Sequence, residues 1–272
     1  MTKVITIAGS DASGGAGLEA DLKTFAEYGL YGMAAVTAIA TMDPDNGWAH
    51  SVFPVDEGAL RSQLVTAFKG VGAGAAKSGM LGTFYAVDLT AAFIKTYGIQ
   101  HYVLDPVMVC KGADEALNPE LNANVADKLL PLAEVVTPNL FETSQLSGIR
   151  DVSSIEKMKE AARIIHGKGA RNVFVKGGAK LPNQSKALDI FFDGKNFELL
   201  EGDLVSTRWT HGAGCTTSAA ICAGLARGLS PLEATVLAKK FITSSLKNSF
   251  ALNSWVGPGN PSAWRKDRLF GA

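Results

Sequence analysis

Short runs of apolar and β-branched residues recur along this chain, and longer segments with helical spacing separate them. That alternation limits the possible folds more than any single residue does. Residues 3–8, 33–39, 75–78, 102–104, 135–136 and 172–176 read as strands. Leu18, Leu22, Phe25 and Ala26 fall on one helical face, as do Leu60, Leu64, Ala67 and Phe68. Residues 87–97, 125–130 and 155–166 are also helical in period, the last capped by Ser153 or Ser154. Strands that alternate with helices pair in parallel, so the pattern predicts an α/β fold: a mostly parallel central sheet with helices on both faces. The pattern breaks late. Residues 187–192 and 196–200 flank Asp193-Gly194, which predicts an antiparallel hairpin at one edge of the sheet. Helices over 214–227 and 232–248 follow, and the Gly- and Pro-containing tail from residue 253 predicts irregular chain.

Nothing along the 272 residues has the composition of a linker, and no segment repeats, so a single domain over 1–272 is expected. Hydrophobic residues make up 47% and charged residues 19%, enough to build a sizeable core. The formal net charge is zero and no basic stripe is present, which argues against a nucleic-acid partner. No apolar run reaches the roughly 18 residues of a membrane span. The first eight residues read as a strand and not as a signal peptide. With three cysteines and no CxxC or HExxH spacing, the expectation is a reducing cytoplasm, no disulfide framework and no zinc site.

Ligands of open α/β sheets bind beyond the carboxyl ends of the strands. Three loops of this chain leave such ends. The first is Gly9-Ser10-Asp11-Ala12-Ser13-Gly14-Gly15-Ala16-Gly17. It lacks the Lys-Ser/Thr ending of a P-loop and the spacing of a dinucleotide fingerprint. It is either a flexible turn with an N-cap or a cradle in which Ser10 and Asp11 hold a polar small molecule. The second loop begins at Asp105-Pro106. The third is Thr210-His211-Gly212-Ala213-Gly214-Cys215-Thr216-Thr217, placed where a helix begins. Free N–H groups and the positive dipole end make such a helix entry an anion site, and a phosphoryl group in transfer suits it. Cys215 lies in the first turn, so its thiol is expected to titrate below the ~8.5 of a free cysteine. Cys222, inside an apolar helix, reads as core. Cys110, beside Lys111, is either a lid thiol or an incidental loop residue.

Two further groupings stay open on the residues alone. Asn139 and Glu142 in Thr137-Pro138-Asn139-Leu140-Phe141-Glu142 fit a capping box, while Glu142 and Asp105 together could bear on Mg²⁺. Lys176 in Lys176-Gly177-Gly178 is either a solvated turn lysine or a phosphate ligand at a strand exit.

Six ordered stretches together resemble the ribokinase-like vitamin kinases, in the hydroxymethylpyrimidine kinase-like branch. They are the loop from Ala8 to Gly17, Lys77-Ser78-Gly79-Met80-Leu81, Leu104-Asp105-Pro106-Val107-Met108, the stretch from Thr137 to Glu142, Val175-Lys176-Gly177-Gly178, and His211-Gly212-Ala213-Gly214-Cys215-Thr216. The resemblance spans nearly the whole chain. It implies a ribokinase-like fold and ATP-dependent phosphorylation of a hydroxymethyl group on a heteroaromatic ring, with ATP and Mg²⁺ required and a monovalent cation such as K⁺ compatible. It also implies that Cys215 stands at the position of the catalytic base. Gly212, Ala213 and Gly214 would form the anion hole; Asn139, Lys176 and Gly178, with Glu142 and Asp105 on the metal, would fall on the ATP side. Ser10, Asp11, Gly14, Met80, Val107 and His50 would fall on the substrate side. A homodimer is typical of the branch.

One stretch departs from the pyrimidine kinases. They usually read Thr-Ala-Gln-Asn-Thr, and here the stretch is Thr37-Ala38-Ile39-Ala40-Thr41. Isoleucine cannot pair with an aminopyrimidine, and an unpaired polar partner discriminates strongly. The following Met42-Asp43-Pro44-Asp45-Asn46-Gly47-Trp48-Ala49-His50 resembles the pyridoxal kinases of the same branch, in which a second thiol, here Cys110, works with the one at Cys215. The expected activity is therefore phosphorylation of the 5′-hydroxymethyl of pyridoxal, pyridoxine or pyridoxamine. Hydroxymethylpyrimidine (phosphate) kinase is the nearest alternative, and a non-catalytic pyridoxal carrier is the reading from a different class.

Overall fold

Val4 packs into one core while Ile5 and Ile7 pack into another. Val103 is likewise divided from Tyr102 and Leu104, and Phe174 from Val173 and Val175. This two-residue alternation, apolar on both sides, is that of strands buried on both faces. The computed structural model describes residues 1–108, 119–182 and 184–265. Along it run β1 (Lys3–Asp11), α1 (Gly17–Glu27), β2 (Tyr31–Asp43), β3 (Ala49–Pro54), α2 (Glu57–Leu64), β4 (Ala75–Ser78), α3 (Phe84–Thr96) and β5 (His101–Leu104). Then come α4 (Pro119–Leu129), β6 (Val135–Val136), α5 (Leu140–Ser147), α6 (Ile155–Gly167), β7 (Asn172–Gly178), β8 (Lys186–Phe192), β9 (Phe197–Asp203), α7 (Ala213–Ala226) and α8 (Pro231–Lys247).

The nine strands form one sheet in the order β3-β2-β1-β4-β5-β6-β7-β8-β9. The run from β2 to β7 is parallel throughout. Helices α2, α3 and α6 cover one face, and α1, α7 and α8 cover the other. The α/β class, the two covered faces and the late hairpin of β8 and β9 therefore match the sequence reading. One element differs. Strand β3 pairs antiparallel with β2, so the sheet has an antiparallel border at both edges, where the sequence suggested one. All six residues of β3 are exposed, which leaves no burial period to read. The helix that begins at Glu57 ends at Leu64, and a π-helical stretch, Val65–Val71, continues it.

After β1 the chain moves outward to β2, then returns to the other side of β1 for β4. Neighbouring connections thus leave the sheet in opposite directions, which opens a crevice at the carboxyl ends of these strands. Among the described residues, no helix is long and apolar enough to cross a membrane.

Candidate active site

The crevice is a cleft of about 590 Å³, within the range of small-molecule sites. Its middle is a row of buried charges supplied by separate elements. Asp21 of α1 takes Lys77 Nζ of β4 at 2.8 Å. Lys77 in turn lies 4.0 Å from Asp105, and Asp105 takes Lys176 Nζ of β7 at 3.1 Å. Glu142 stands next, at the start of α5. Both side chains of the Lys77–Asp21 pair are fully buried. Burial pulls the Lys77 ammonium down, but Asp21 foremost, with Asp105, outweighs it and holds Lys77 protonated. Asp105 also meets burial, which Lys176 and then Lys77 outweigh, so it stays ionised. Glu142 has weaker support: burial prevails over Lys176 and lifts its carboxyl to about 7.

Asn139 caps α5 and forms the full capping box with Glu142, as the spacing suggested. Glu142 Oε2 accepts the Asn139 N–H at 2.8 Å, and Oε1 accepts no hydrogen bond among the described residues. A bulge after Lys176 places Gly178 N–H on Asp189 Oδ1 at 2.8 Å, while Lys239 of α8 holds the other oxygen of Asp189 at 2.6 Å.

Helix α7 begins against this row. Its N-cap, Gly212, is left-handed at φ 74° and has no side chain with which to cap, so the first amides of the helix face the cleft. Ala213 N–H is turned back onto Thr210 O at 3.2 Å. Gly214 and Cys215 N–H have no acceptor among the described residues. The backbone N–H of Gly17 works in the direction of holding the Cys215 thiol down. Position 17 needs glycine, because it has φ +57° and a Cβ there would sit 2.3 Å from Gly9 O.

The Cys215 thiol differs from the sequence expectation. Burial pushes it up to about 11, and the pull of Lys77 reduces this without cancelling it. The helix dipole that suggested a lowered value is a local effect, whereas removal of the sulfur from water is a tertiary one. Cys222 is buried in the core of α7, as expected.

Ser10, Asp11, His50, Met80, Val107, Asp105, Asn139, Glu142, Lys176, Gly178 and residues 212–215 all line the one cleft. Gly14 does not. It occupies a left-handed turn, its N–H bonded to Asp11 O and its carbonyl held by Lys23. Cys110 lies outside the described residues. The hydroxyl of Ser10 donates to Glu19 Oε1 at 2.6 Å, and the carboxylate of Asp11 accepts from Ser13 N–H, Ala16 N–H and His211. These two side chains therefore hold the loop as well as border the cleft. Ile39 is not in the cleft wall; it is 45% exposed, and Ala40 and Met42 stand in the wall instead. With Val52, Met80 and Val107 they make that end apolar, and no Gln or Asn side chain lines it among the described residues.

Sequence reasoning gave no role to Lys77, His211, Asp189 or Lys239. A lysine inside the four-residue buried strand Ala75–Ser78 was the available signal for Lys77. The others act through partners far away in sequence.

Comparison with known proteins agrees with this geometry. Residues 11–260 match the family model described as phosphomethylpyrimidine kinase. A putative pyridoxine kinase from Treponema pallidum is 55% identical over 97% of this chain and 98% of its own length. The ADP complex of Bacillus subtilis pyridoxal kinase superposes with a TM-score of 0.94 at 51% identity, over 97% of this chain and 99% of that one. Staphylococcus aureus pyridoxal kinase in complex with AMP-PCP and pyridoxal superposes with a TM-score of 0.92 at 46% identity, over 99% of this chain and 96% of that one. A match of this extent means that this chain belongs to the phosphomethylpyrimidine kinase family.

Proposed function

We propose that this chain is a cytoplasmic kinase that transfers the γ-phosphoryl of ATP to the 5′-hydroxymethyl of pyridoxal, pyridoxine or pyridoxamine. One observation carries the reading: the entry of α7, with its free amides and Cys215, lies between an apolar wall and a lysine-bearing wall of the same cleft. Phosphoryl transfer asks mainly for positioning and for neutralisation of charge. The N–H groups of Gly214 and Cys215 would meet the migrating group, supported by the turn at Gly212 and Ala213. Lys176 would reach the phosphates, and Asn139 and Gly178 would border the nucleotide. Met42, Val52, Met80 and Val107, with His50, would enclose the vitamer ring beside Ser10 and Asp11. The S. aureus relative holds a nucleotide analogue and pyridoxal together, which supports the same two ends here.

Magnesium fits the donor set. A buried carboxylate with one oxygen, Glu142 Oε1, uncommitted among the described residues lines a cleft suited to phosphates, and Mg²⁺ takes one or two carboxylates and completes its shell with phosphate and water. Both lysines already engage Asp105, so it would act through water. When bound, Mg²⁺ would offset charge on the β- and γ-phosphates.

The competing reaction is hydroxymethylpyrimidine phosphorylation, and the amide-free wall argues against it. ADP release measured against the three vitamers and hydroxymethylpyrimidine, with and without EDTA and in K⁺ or Na⁺, tests the reading. Expected are a higher kcat/KM on the vitamers and loss of turnover in EDTA. A pyrimidine preference sinks the substrate assignment, and tight pyridoxal binding without ADP release supports the carrier instead.

A homodimer would use the β3 edge, where Phe53 is exposed and stands in register with the exposed Ile39. Light scattering that returns the mass of a single chain removes that proposal.

A further inference from the structure

His211 Nε2 lies 2.7 Å from Asp11 Oδ2, and both side chains are less than a tenth exposed. Burial opposes the Asp11 carboxylate, but hydrogen bonds from His211 and Ser13 overcome this and hold it at about 2. An ionised carboxylate only accepts, so Nε2 of the imidazole carries the shared proton. Asp11 also accepts Ser13 N–H on Oδ1 and Ala16 N–H on Oδ2, each at 2.8 Å. The backbone of His211 is fixed as well, its N–H on Gly257 O at 3.1 Å. Two loops 200 positions apart thus meet in one hydrogen bond, and their backbones meet beside it. A Cβ at Gly15 would lie 2.6 Å from His211 Cδ2, and a Cβ at Gly212 would lie 2.0 Å from Gly15 O.

We propose that His211 is a positioning residue for phosphoryl transfer. It clasps the loop after β1 to the turn that opens α7, and so holds Gly212 left-handed and keeps the amides of Gly214 and Cys215 aimed into the cleft. The inference rests on the reading of that helix entry as the phosphoryl site. Glycine has several accessible backbone wells, so a Gly212 released from its neighbour spreads over them, and the fraction with aligned amides falls. Misplacement by an ångström is enough to cost about 100-fold in rate. Asp11 and His211 border the cleft, but the walls that would enclose the ring and the nucleotide are built mainly from Met42, Val52, Met80 and Val107 and from Asn139, Lys176 and Gly178.

The test uses the full chain with His211→Ala, His211→Gln and Asp11→Ala. Glutamine can present an N–H to Asp11 from nearly the place of Nε2. We expect His211→Ala to lower kcat by about 100-fold, with KM for ATP and for pyridoxal changed by less than about threefold. His211→Gln should recover most of the loss, and Asp11→Ala should reproduce it if His211→Ala does not fold. A kcat within about threefold of wild type in either deletion, a loss carried by KM alone, or no recovery in His211→Gln overturns the clasp. A wild-type protein that releases no ADP with any ring alcohol overturns the functional reading and the clasp together. An active wild type with an unaffected His211→Ala overturns the clasp alone.

Discussion

Replacing Gly212 by alanine should reduce turnover by about 10²–10³-fold, the usual loss when an oriented backbone donor leaves a developing charge. Two effects act together at this position. An L residue at φ 74° costs roughly 1–2 kcal/mol in backbone energy. The added Cβ would also meet Gly15 O at 2.0 Å, a backbone atom that cannot rotate away. Either the loop after β1 retreats or the entry of α7 unwinds, and both move the amides of Gly214 and Cys215. The melting temperature should fall along with kcat. ADP release and a thermal unfolding scan on the same sample check this. An alanine variant with wild-type turnover would show that the amides at this helix entry do not touch the migrating group.

Cys215→Ala separates two roles for the sulfur, because only pyridoxal carries an aldehyde. If Cys215 takes the hydroxyl proton, the variant should lose about 10²–10⁴-fold in kcat on every vitamer. The sign of the pH dependence follows from the site. A thiol pushed up to about 11 is almost wholly protonated at neutral pH, and a base must be unprotonated to act. The wild-type kcat on pyridoxine should therefore rise about tenfold per pH unit from pH 7 towards 10, and the variant should lack that slope. If Cys215 anchors the aldehyde, the S–C bond forms as the C=O π bond opens, and the thiol proton ends on the former carbonyl oxygen. Then only pyridoxal kinetics should change, and pyridoxine turnover should survive. Unchanged rates on both vitamers would remove the sulfur from the chemistry.

The alternation that dominates the sequence was enough to read the sheet, because Val4 against Ile5 and Val103 against Leu104 are local statements about which side of a strand is apolar. Strand β3 escaped for the converse reason: with every residue exposed, Ala49–Pro54 carries no such statement. The capping box at Asn139 was legible from a three-residue spacing. The titration of Cys215 was not, since its position in a first turn is visible in the sequence and its desolvation is not. His211 shows the limit most sharply. A lone histidine before Gly212 gives no hint of an acceptor 200 residues earlier, and Asp11, read as a substrate contact, turned out to hold that histidine. Lys77 stood in view as a charge within a buried strand, but its partners on α1 and after β5 exist only in the fold.

The joining of residue 11 to residue 211, with position 211 in turn bridged to Pro258, bears on biosynthesis. Ribosomes deliver the N-terminal end first, at roughly 5–20 residues per second, so the early strands can assemble well before their counterpart has been translated. A nascent chain lacking its last quarter has no entry to α7. The proposed phosphoryl site is therefore completed only once residues 210–215 have been translated and the contact between Asp11 and His211 has closed.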